Sequence, residues 1–423
     1  MLTDPAEIAR KYRYWQNRVL VVSITGYALF YFVRKNLSIA IPFMEHDLGL
    51  QKSSLGLFLT LGGLLYGVSK FANGFLADRA NARAFLVTGL AVSAVLNVLF
   101  GLNSAVVALG LIWMFNGWFQ GMGFPPCARL LTHWFPPKQL ATKMSIWNLG
   151  QNIGSSLILI LCGYLVVYGW RVCFFVPVAI VLTSAVFIWL AAPDTPPSVG
   201  LPEVAGTQAA GPQEQSREEF KAFVAERVFR NKYIWLVSCA NFFVYTVRFV
   251  VLDWGPTLLL QAKHIEIRHA AWMVAGFEAC GVTGAIIGGW LTDRFLGGRA
   301  VWTCFIYMVL AGVATLVFWK VPVRSELLTT ALLGAVGFFI YGPQCLLAVA
   351  AANLATKRAA ATAIGLTSIF GYASTVLSGW GLGTLLDHYG WDAAFRLLMV
   401  AITLGSLLFA AALPAKAHGY QDH

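Results

Sequence analysis

Long apolar stretches alternate with short polar connectors along the whole chain. Most of the stretches are about 20 residues or longer, which is the length that an α-helix needs to cross the hydrocarbon core of a bilayer. Twelve stretches are present, at 19–43, 54–76, 84–103, 105–131, 143–166, 171–192, 233–260, 270–292, 300–319, 327–352, 359–386 and 393–413. The pattern predicts an all-α membrane protein with twelve transmembrane helices.

One polar segment, residues 193–232, is much longer than the other connectors. It opens with the proline-rich run Pro193–Pro197 and ends among basic residues, which is typical of a linker. The predicted organisation is therefore a six-helix half at 1–192, a linker at 193–232 and a second six-helix half at 233–423. Within the linker, apolar residues at helical spacing predict a short helix on the membrane surface: Phe220, Phe223, Val224 and Val228.

The composition excludes a soluble enzyme, because 58% of the residues are hydrophobic and only 12% are charged. An ordinary soluble domain has roughly 25% charged residues. The sequence contains no nucleophile-elbow or phosphate-loop motif, and we expect neither a cofactor nor a metal ion. The net charge of +11 comes without a basic cluster that is interleaved with aromatic residues, so nucleic acid is not the expected partner. The charge instead fits loops that face anionic lipid.

The Lys and Arg residues are distributed unequally between the two sides of the predicted membrane. Nineteen of the 30 lie in or next to the amino terminus, the even-to-odd connectors and the tail, whereas seven lie in or next to the opposite connectors. By the positive-inside rule, both termini and the linker are predicted to lie in the cytoplasm, with the chain in the inner membrane.

The two halves repeat each other's sequence signals. Three pairs of motifs correspond: Gly74-x-x-x-Asp78-Arg79 with Gly289-x-x-x-Asp293-Arg294, Tyr31-x-x-Arg34 with Tyr245-x-x-Arg248, and Tyr168-Gly169-Trp170 with Tyr389-Gly390-Trp391. Two parallel six-span halves resemble the layout of the major facilitator superfamily, which binds substrates between its halves. We interpret the Asp-Arg pairs as gating or structural ion pairs: Asp78 with Arg79, and Asp293 with Arg294.

Four cationic side chains lie inside predicted spans and away from the span ends, where charge is costly and marks substrate pathways: Arg34, Lys35, Lys70 and Arg248. Three of them share a helix face with polar or aromatic side chains, because residues at i, i+4 and i+7 lie on one side of a helix. These sets are Tyr27, Tyr31 and Arg34; Tyr66 and Lys70; and Asn241, Tyr245 and Arg248. Pseudo-symmetry predicts that the two arginines face each other, and two opposed guanidinium groups suit a phosphate dianion.

Other roles stay open for some of these charges. Asp253 or Glu278, in spans seven and eight, could pair structurally with one of the arginines. Lys35 points about 100° away from Arg34 on a helix, so helix packing or snorkelling suits it as well as ligand contact does.

Four sequence motifs carry a family resemblance: GYALFYFVRKN at 26–36, YGVSKF at 66–71, NGWFQGMGFPPC at 116–127, and VR at 247–248 followed by LDW at 252–254. The chain resembles the organophosphate:phosphate antiporters, which include glycerol-3-phosphate and hexose-6-phosphate carriers. The resemblance implies that Arg34 and Arg248 bind phosphate, with Lys70 and three tyrosines lining the pocket: Tyr27, Tyr31 and Tyr245. Gln151 departs from the family pattern, since the carriers usually have a histidine there.

Three functions fit this sequence. The first is exchange of a sugar phosphate, hexose 6-phosphate in particular, for inorganic phosphate by a monomeric carrier. The second is a receptor that binds the sugar phosphate and signals to a membrane histidine kinase. The third is proton-coupled symport, which would need Asp253 or Glu278 as an acid facing the cavity.

Overall fold

The structure, a computed structural model, describes residues 5–77, 80–204, 222–322 and 325–415. These residues are helical almost throughout, and no strand occurs among them. The α-helices are α1 Pro5–Phe32, α2 Asn36–Leu48, α3 Lys52–Ala77, α4 Ala82–Leu102, α5 Val106–Gln120, α6 Phe124–Trp134, α7 Pro137–Leu165, α8 Val172–Ala191, α9 Lys232–Phe249, α10 Gly255–Ala262, α11 Ile267–Phe295, α12 Ala300–Lys320, α13 Glu326–Ala373 and α14 Leu382–Ala412. Short π-helical segments lie at Ala225–Phe229, Val250–Trp254 and Val376–Gly381.

Nine helical segments of the described ranges are long and apolar enough to cross a membrane. Predicted spans one and four are not among these segments. Each is interrupted, span one between α1 and α2 and span four between α5 and α6. The last two predicted spans lie in one run, Thr362–Ala412, in which the backbone leaves helical geometry at Gly390, inside the predicted connector. The prediction and the structure therefore agree on where the apolar helices lie and differ on their continuity.

Helix α13 runs through the connector that was predicted between spans ten and eleven, around residues 353–358. The stretch from Ala350 to Ala363 is rich in alanine, the residue with the highest helix propensity. Local propensity therefore continues the helix where the drop in hydropathy suggested a turn.

The chain divides into two compact units. The first unit comprises Met1–Phe43 and Leu65–Gln213, and the second comprises Met44–Leu64 and Glu214–His423. In the first unit, α1 packs against α7 and α4 packs against α8. Its buried core includes Phe30, Trp134 and Trp147.

In the second unit, α13 packs against α9, α11 and α12. Two glycines permit the closest approach of α11 and α13: a Cβ atom on Gly284 would collide with the backbone of Phe338, and one on Gly337 with the backbone of Phe277. Small residues at helix contacts are the usual means of packing helices closely in membranes.

The end of the predicted linker helix packs on this unit. Val224 and Val228 are buried against Ala351 and Ala355 of α13, with Phe223 partly buried beside them. Phe220, the other apolar residue of the predicted helix, lies outside the described residues. At least part of the predicted amphipathic face therefore contacts protein.

The third pair of repeated motifs has a structural counterpart. Gly169 and Gly390 both have a positive φ, 111° and 70° respectively. Backbone in this region favours glycine, which has no Cβ atom. Each glycine ends one helical segment and lets the chain turn into the next, so the repeat has a backbone role in both units.

Candidate functional site

Arg34 and Lys35 lie in an interruption between two helices of the first unit. Helix α1 ends at Phe32 and α2 begins at Asn36. The backbone N–H groups of Arg34 and Lys35 both donate to the Tyr31 carbonyl, at 3.2 and 2.9 Å. The interruption places two cationic residues at one point inside a predicted span, and the Lys35 side chain there is only 5% exposed.

The guanidinium group of Arg34 lies over aromatic rings. Its Cζ atom is 4.0 Å from the centroid of the Tyr66 ring and 5.7 Å from that of Tyr31. A cation over the face of an aromatic ring is attracted by the ring quadrupole. Tyr66 projects from α3, so the ring and the charge come from two different helices and their meeting is a tertiary contact.

Lys70 of the first unit also lies over an aromatic ring, as Arg34 does. Its Nζ atom is 4.1 Å from the centroid of the Phe124 ring. Phe124 begins α6 directly after the chain turns at residues 121–123. A Cβ atom on Gly121 would collide with the Ser69 side chain, so glycine at this turn allows the broken helix to come close to α3 beside Lys70.

The tyrosines of α1 belong to an aromatic cluster. The Tyr27 ring lies 5.7 Å from the Tyr31 ring and 4.8 Å from the Trp147 ring, and Trp147 lies 5.0 Å from Phe124. Both tyrosines are buried, with 5% and 7% exposure. The cluster fixes the α1 face that the sequence predicted and adds two rings, Phe124 and Trp147, that it did not.

Gln151 contacts this face. The Tyr31 hydroxyl donates to Gln151 Oε1 at 3.1 Å, and the Gln151 side chain is partly exposed. The amide also carries two N–H donors, which suit the oxygens of a phosphate or a sugar hydroxyl. The first unit therefore brings together Tyr27, Tyr31, Arg34, Tyr66, Lys70 and Gln151.

Arg248 is the corresponding arginine of the second unit. It lies near the end of α9, just before the π-helical segment Val250–Trp254, and only 5% of it is exposed. Its Cζ atom is 4.9 Å from the centroid of the Tyr341 ring and 6.0 Å from that of Tyr245. A π-helical turn inside an α-helix is often found at functional sites.

A buried carboxyl group lies next to Arg248. Glu278 is 1% exposed, and the Tyr341 hydroxyl donates to its Oε2 at 2.5 Å. Tyr341 therefore contacts both the arginine and the acid. Asp253, the other acidic candidate, lies in the π-helical segment and is partly buried.

Asn241 is 4% exposed, and its Nδ2 donates to the Thr367 carbonyl at 2.8 Å. This bond joins α9 to α13, so part of the Asn241 amide is committed to packing. Tyr245, one turn further along α9, lies 6.2 Å from the Tyr372 ring. The second unit therefore places two tyrosines near the guanidinium group of Arg248, Tyr245 of α9 and Tyr341 of α13.

The predicted gating pairs are only partly visible. Asp78 and Arg79 lie outside the described residues. Asp293 and Arg294 lie in the last turn of α11 with exposed side chains. Their role as ion pairs stays a prediction.

Besides the rings of Phe124 and Trp147, the sequence did not predict two features of the site. The first is the helix interruption at Arg34, and the second is the contact of Tyr341 with Arg248 and Glu278. A signal for the first was present, since Asn97, Asn116 and Gln120 are amides inside apolar stretches. Among the described residues, no group of three or more His, Cys, Asp or Glu side chains could hold a metal ion. With its cations, hydroxyl groups, amides and aromatic rings, the site is suited to binding an anion.

Comparison with known proteins agrees with this description. The model of the Major Facilitator Superfamily matches residues 24–379. The glycerol-3-phosphate transporter of Bacillus subtilis is 36% identical, with 96% of this chain and 94% of that protein covered. A probable hexose phosphate transport protein of Chlamydia pneumoniae is 35% identical, with 96% and 93% covered. The membrane sensor protein UhpC of Salmonella typhimurium is also 35% identical, with 99% and 96% covered.

A solved structure supports the fold. A bacterial homologue of the human lysosomal transporter Spinster superposes with a TM-score of 0.77 at 15% identity, covering 95% of this chain and 97% of that one. The chain belongs to the Major Facilitator Superfamily and, within it, to the organophosphate transporter family that its motifs resemble. The predicted all-α fold and the assignment to a non-enzymatic membrane transporter class are thereby confirmed.

Proposed function

We propose that the protein exchanges a sugar phosphate, hexose 6-phosphate in particular, for inorganic phosphate. The observation that carries the proposal is the position of Arg34 and Arg248, one in each unit, in buried aromatic surroundings. A guanidinium group binds phosphate oxygens with two parallel hydrogen bonds, and a phosphate monoester carries about −1.5 to −2 charge near neutral pH. The names of the relatives from Bacillus subtilis and Chlamydia pneumoniae support this substrate class.

In this proposal, Arg34 and Arg248 bind the phosphate group and Lys70 adds a third positive charge. Tyr27, Tyr31, Tyr66 and Tyr245 supply hydroxyl groups and ring faces, while Gln151 and Asn241 offer amides to the ester or its sugar. Phosphate and phosphate ester share the dianionic group, so one set of cations serves both substrates in turn.

We infer exchange from the repulsion between the cations of the two units. Like charges that approach each other in a poorly solvated cavity repel, so the carrier should close and reorient slowly when no anion is bound. A bound dianion offsets the positive charge and permits the transition. The outward gradient of phosphate would then drive uptake of the ester.

We also propose that the carrier acts as a monomer in the inner membrane. The distribution of Lys and Arg supports an orientation with both termini and the linker in the cytoplasm. Labelling of single cysteines introduced at the two termini, in intact and in permeabilised cells, tests this orientation. Labelling of either terminus in intact cells by an impermeant reagent would contradict it.

The test of function uses purified protein in liposomes loaded with labelled phosphate. We expect phosphate efflux to be at least tenfold faster when hexose 6-phosphate is present outside. Equal efflux with and without external ester would contradict exchange. Binding of the ester without any flux would instead indicate a sensor, and uptake that follows a pH gradient without internal phosphate would indicate proton symport.

A further inference from the structure

The carbonyl oxygen of Val33 is the acceptor that the helix interruption leaves next to Arg34. In an unbroken α-helix this oxygen would accept the N–H four residues further on, but α1 ends at Phe32 and a new helix begins at Asn36. Its partners here are three side-chain amides: Asn97 Nδ2 at 3.0 Å, Asn116 Nδ2 at 2.9 Å and Gln120 Nε2 at 3.4 Å. Three donors from outside the helix therefore converge on one backbone oxygen.

These amides come from two other helices and are deeply buried. Asn97 lies on α4, and Asn116 and Gln120 lie on α5, with 0%, 2% and 3% exposure respectively. Burying an amide in apolar surroundings is costly unless it is hydrogen-bonded. A carbonyl oxygen has two lone pairs, so three amides directed at Val33 are more donors than its own hydrogen bonding needs.

The same network also holds the far side of the interruption. Asn36, the first residue of α2, donates from Nδ2 to Asn97 Oδ1 at 2.9 Å and to the Cys173 carbonyl at 3.1 Å. Asn97 thus contacts the chain both before and after Arg34 and Lys35. Asn97 of α4 therefore holds the chain on both sides of the interruption, at the Val33 carbonyl and at the Asn36 side chain.

We propose that Asn97, Asn116 and Gln120 are positioning residues for substrate binding, because they hold the Val33 carbonyl and so set the direction in which Arg34 leaves the chain. The proposal rests on the function proposed above, in which Arg34 binds phosphate. Val33 and Arg34 share one peptide bond, so a rotation of that carbonyl turns the Arg34 side chain with it. The amides fix the backbone end of Arg34, and the Tyr66 ring receives its guanidinium end.

Removing one amide should therefore weaken phosphate binding without slowing the loaded carrier. Asn116→Leu and Gln120→Leu are close in size to the native residues and remove the N–H donors. We expect the half-saturating phosphate concentration for exchange to rise about tenfold in Asn116→Leu, since misplacing a binding group by about 1 Å is costly. The hydrogen bond from Gln120 to the Val33 carbonyl is the longest of the three, so Gln120→Leu should raise the half-saturating phosphate concentration only about threefold. The maximal exchange rate should stay within about twofold of the native rate in both.

The matched control is Asn103→Leu, which removes an amide-to-carbonyl bond from Asn103 Nδ2 to the Leu99 oxygen at 2.7 Å. Asn103 is the C-terminal cap of α4, the helix that carries Asn97, and makes no bond to Val33. The substitution should leave the half-saturating concentration unchanged. A merely structural role for the amides would lower the maximal rate and the melting temperature at an unchanged half-saturating concentration. That result in Asn116→Leu and Gln120→Leu would overturn the inference, and Gln120→Leu alone decides if Asn116→Leu does not fold.

The failure of this inference can be told apart from failure of the proposed function. Weak phosphate binding in Arg34→Lys, with native affinity in both amide variants, would overturn the positioning role alone. Native exchange by Arg34→Lys would overturn the phosphate site itself.

Discussion

The two units present the same Tyr-x-x-Arg motif in different local structures. In the first unit, Arg34 lies in a helix interruption, and its guanidinium group lies over the Tyr66 ring. In the second unit, Arg248 lies near the end of a continuous helix that passes into a π-helical segment. Its neighbour Tyr341 also donates to the buried carboxyl group of Glu278.

This difference shows that a repeated sequence motif does not place its arginine in the same surroundings in both units. The Arg34 charge is stabilised by ring faces, which tolerate the arrival of an anion. Arg248 shares Tyr341 with the buried carboxyl group of Glu278, so its surroundings include an acidic group. In the proposed site both arginines bind the same phosphate, so we expect both to be needed for its recognition. Because their surroundings differ, we expect unequal effects on stability.

The largest expected effect is on exchange by Arg34→Lys and Arg248→Lys. An ammonium group keeps the charge and loses the planar pair of donors that suits phosphate. Each substitution should lower phosphate exchange in proteoliposomes by about 100-fold or more, since hydrogen bonds to charged groups contribute about 1.5–3 kcal/mol each.

The matched control for these variants is Arg18→Lys. Arg18 also lies on α1 and over an aromatic ring, with its Cζ atom 5.1 Å from the Trp15 centroid, but it precedes the first predicted span. Exchange should stay within about twofold of the native rate. Native exchange in either Arg34→Lys or Arg248→Lys would mean that the guanidinium geometry is not used.

The sequence predicted both arginines and their tyrosine neighbours because helical spacing places i, i+4 and i+7 on one face. It did not predict the interruption beside Arg34, because hydropathy averaged over a window stays apolar from the end of α1 into α2. It also missed Tyr341 and Phe124 as partners of Arg248 and Lys70. Those contacts join helices that are far apart in sequence, and periodicity within one helix carries no information about them.

A second substitution tests the inequality between the units. Glu278→Gln removes the carboxylate next to Arg248 and leaves a buried cation with less compensation, which is strongly destabilising. The melting temperature of the purified protein should fall by several degrees, and added phosphate should recover part of the loss. Tyr66→Leu, which removes the ring under Arg34, should lower it less. An equal or smaller decrease for Glu278→Gln would contradict the comparison.

Lys70 and its aromatic partner provide a graded test within the first unit. Lys70→Ala should raise the half-saturating phosphate concentration about tenfold, because a partly buried cation is lost near the anion. Phe124→Leu keeps the cation and removes the ring 4.1 Å from it, so a rise of about threefold is expected. A larger effect for Phe124→Leu than for Lys70→Ala would show that the ring acts in another way.

The smallest expected effect concerns Gln151→His. Histidine gains a proton near pH 6.5, and at this position it would lie next to the Tyr31 hydroxyl. Relative to the native protein at the same pH, the variant should bind phosphate about threefold more tightly at pH 6 than at pH 7.5. If the ratio of the phosphate affinities of the variant and the native protein does not change with pH, Gln151 does not approach the substrate phosphate.

The central claim is that Arg34 and Arg248 bind one and the same phosphate group. Equilibrium binding of labelled phosphate to the purified protein measures this directly, through both affinity and stoichiometry. The account predicts one phosphate per chain in the native protein and a loss of affinity of about 100-fold in each of Arg34→Lys and Arg248→Lys. Two phosphates per chain, with one site lost in each variant and the other retained at native affinity, would contradict it.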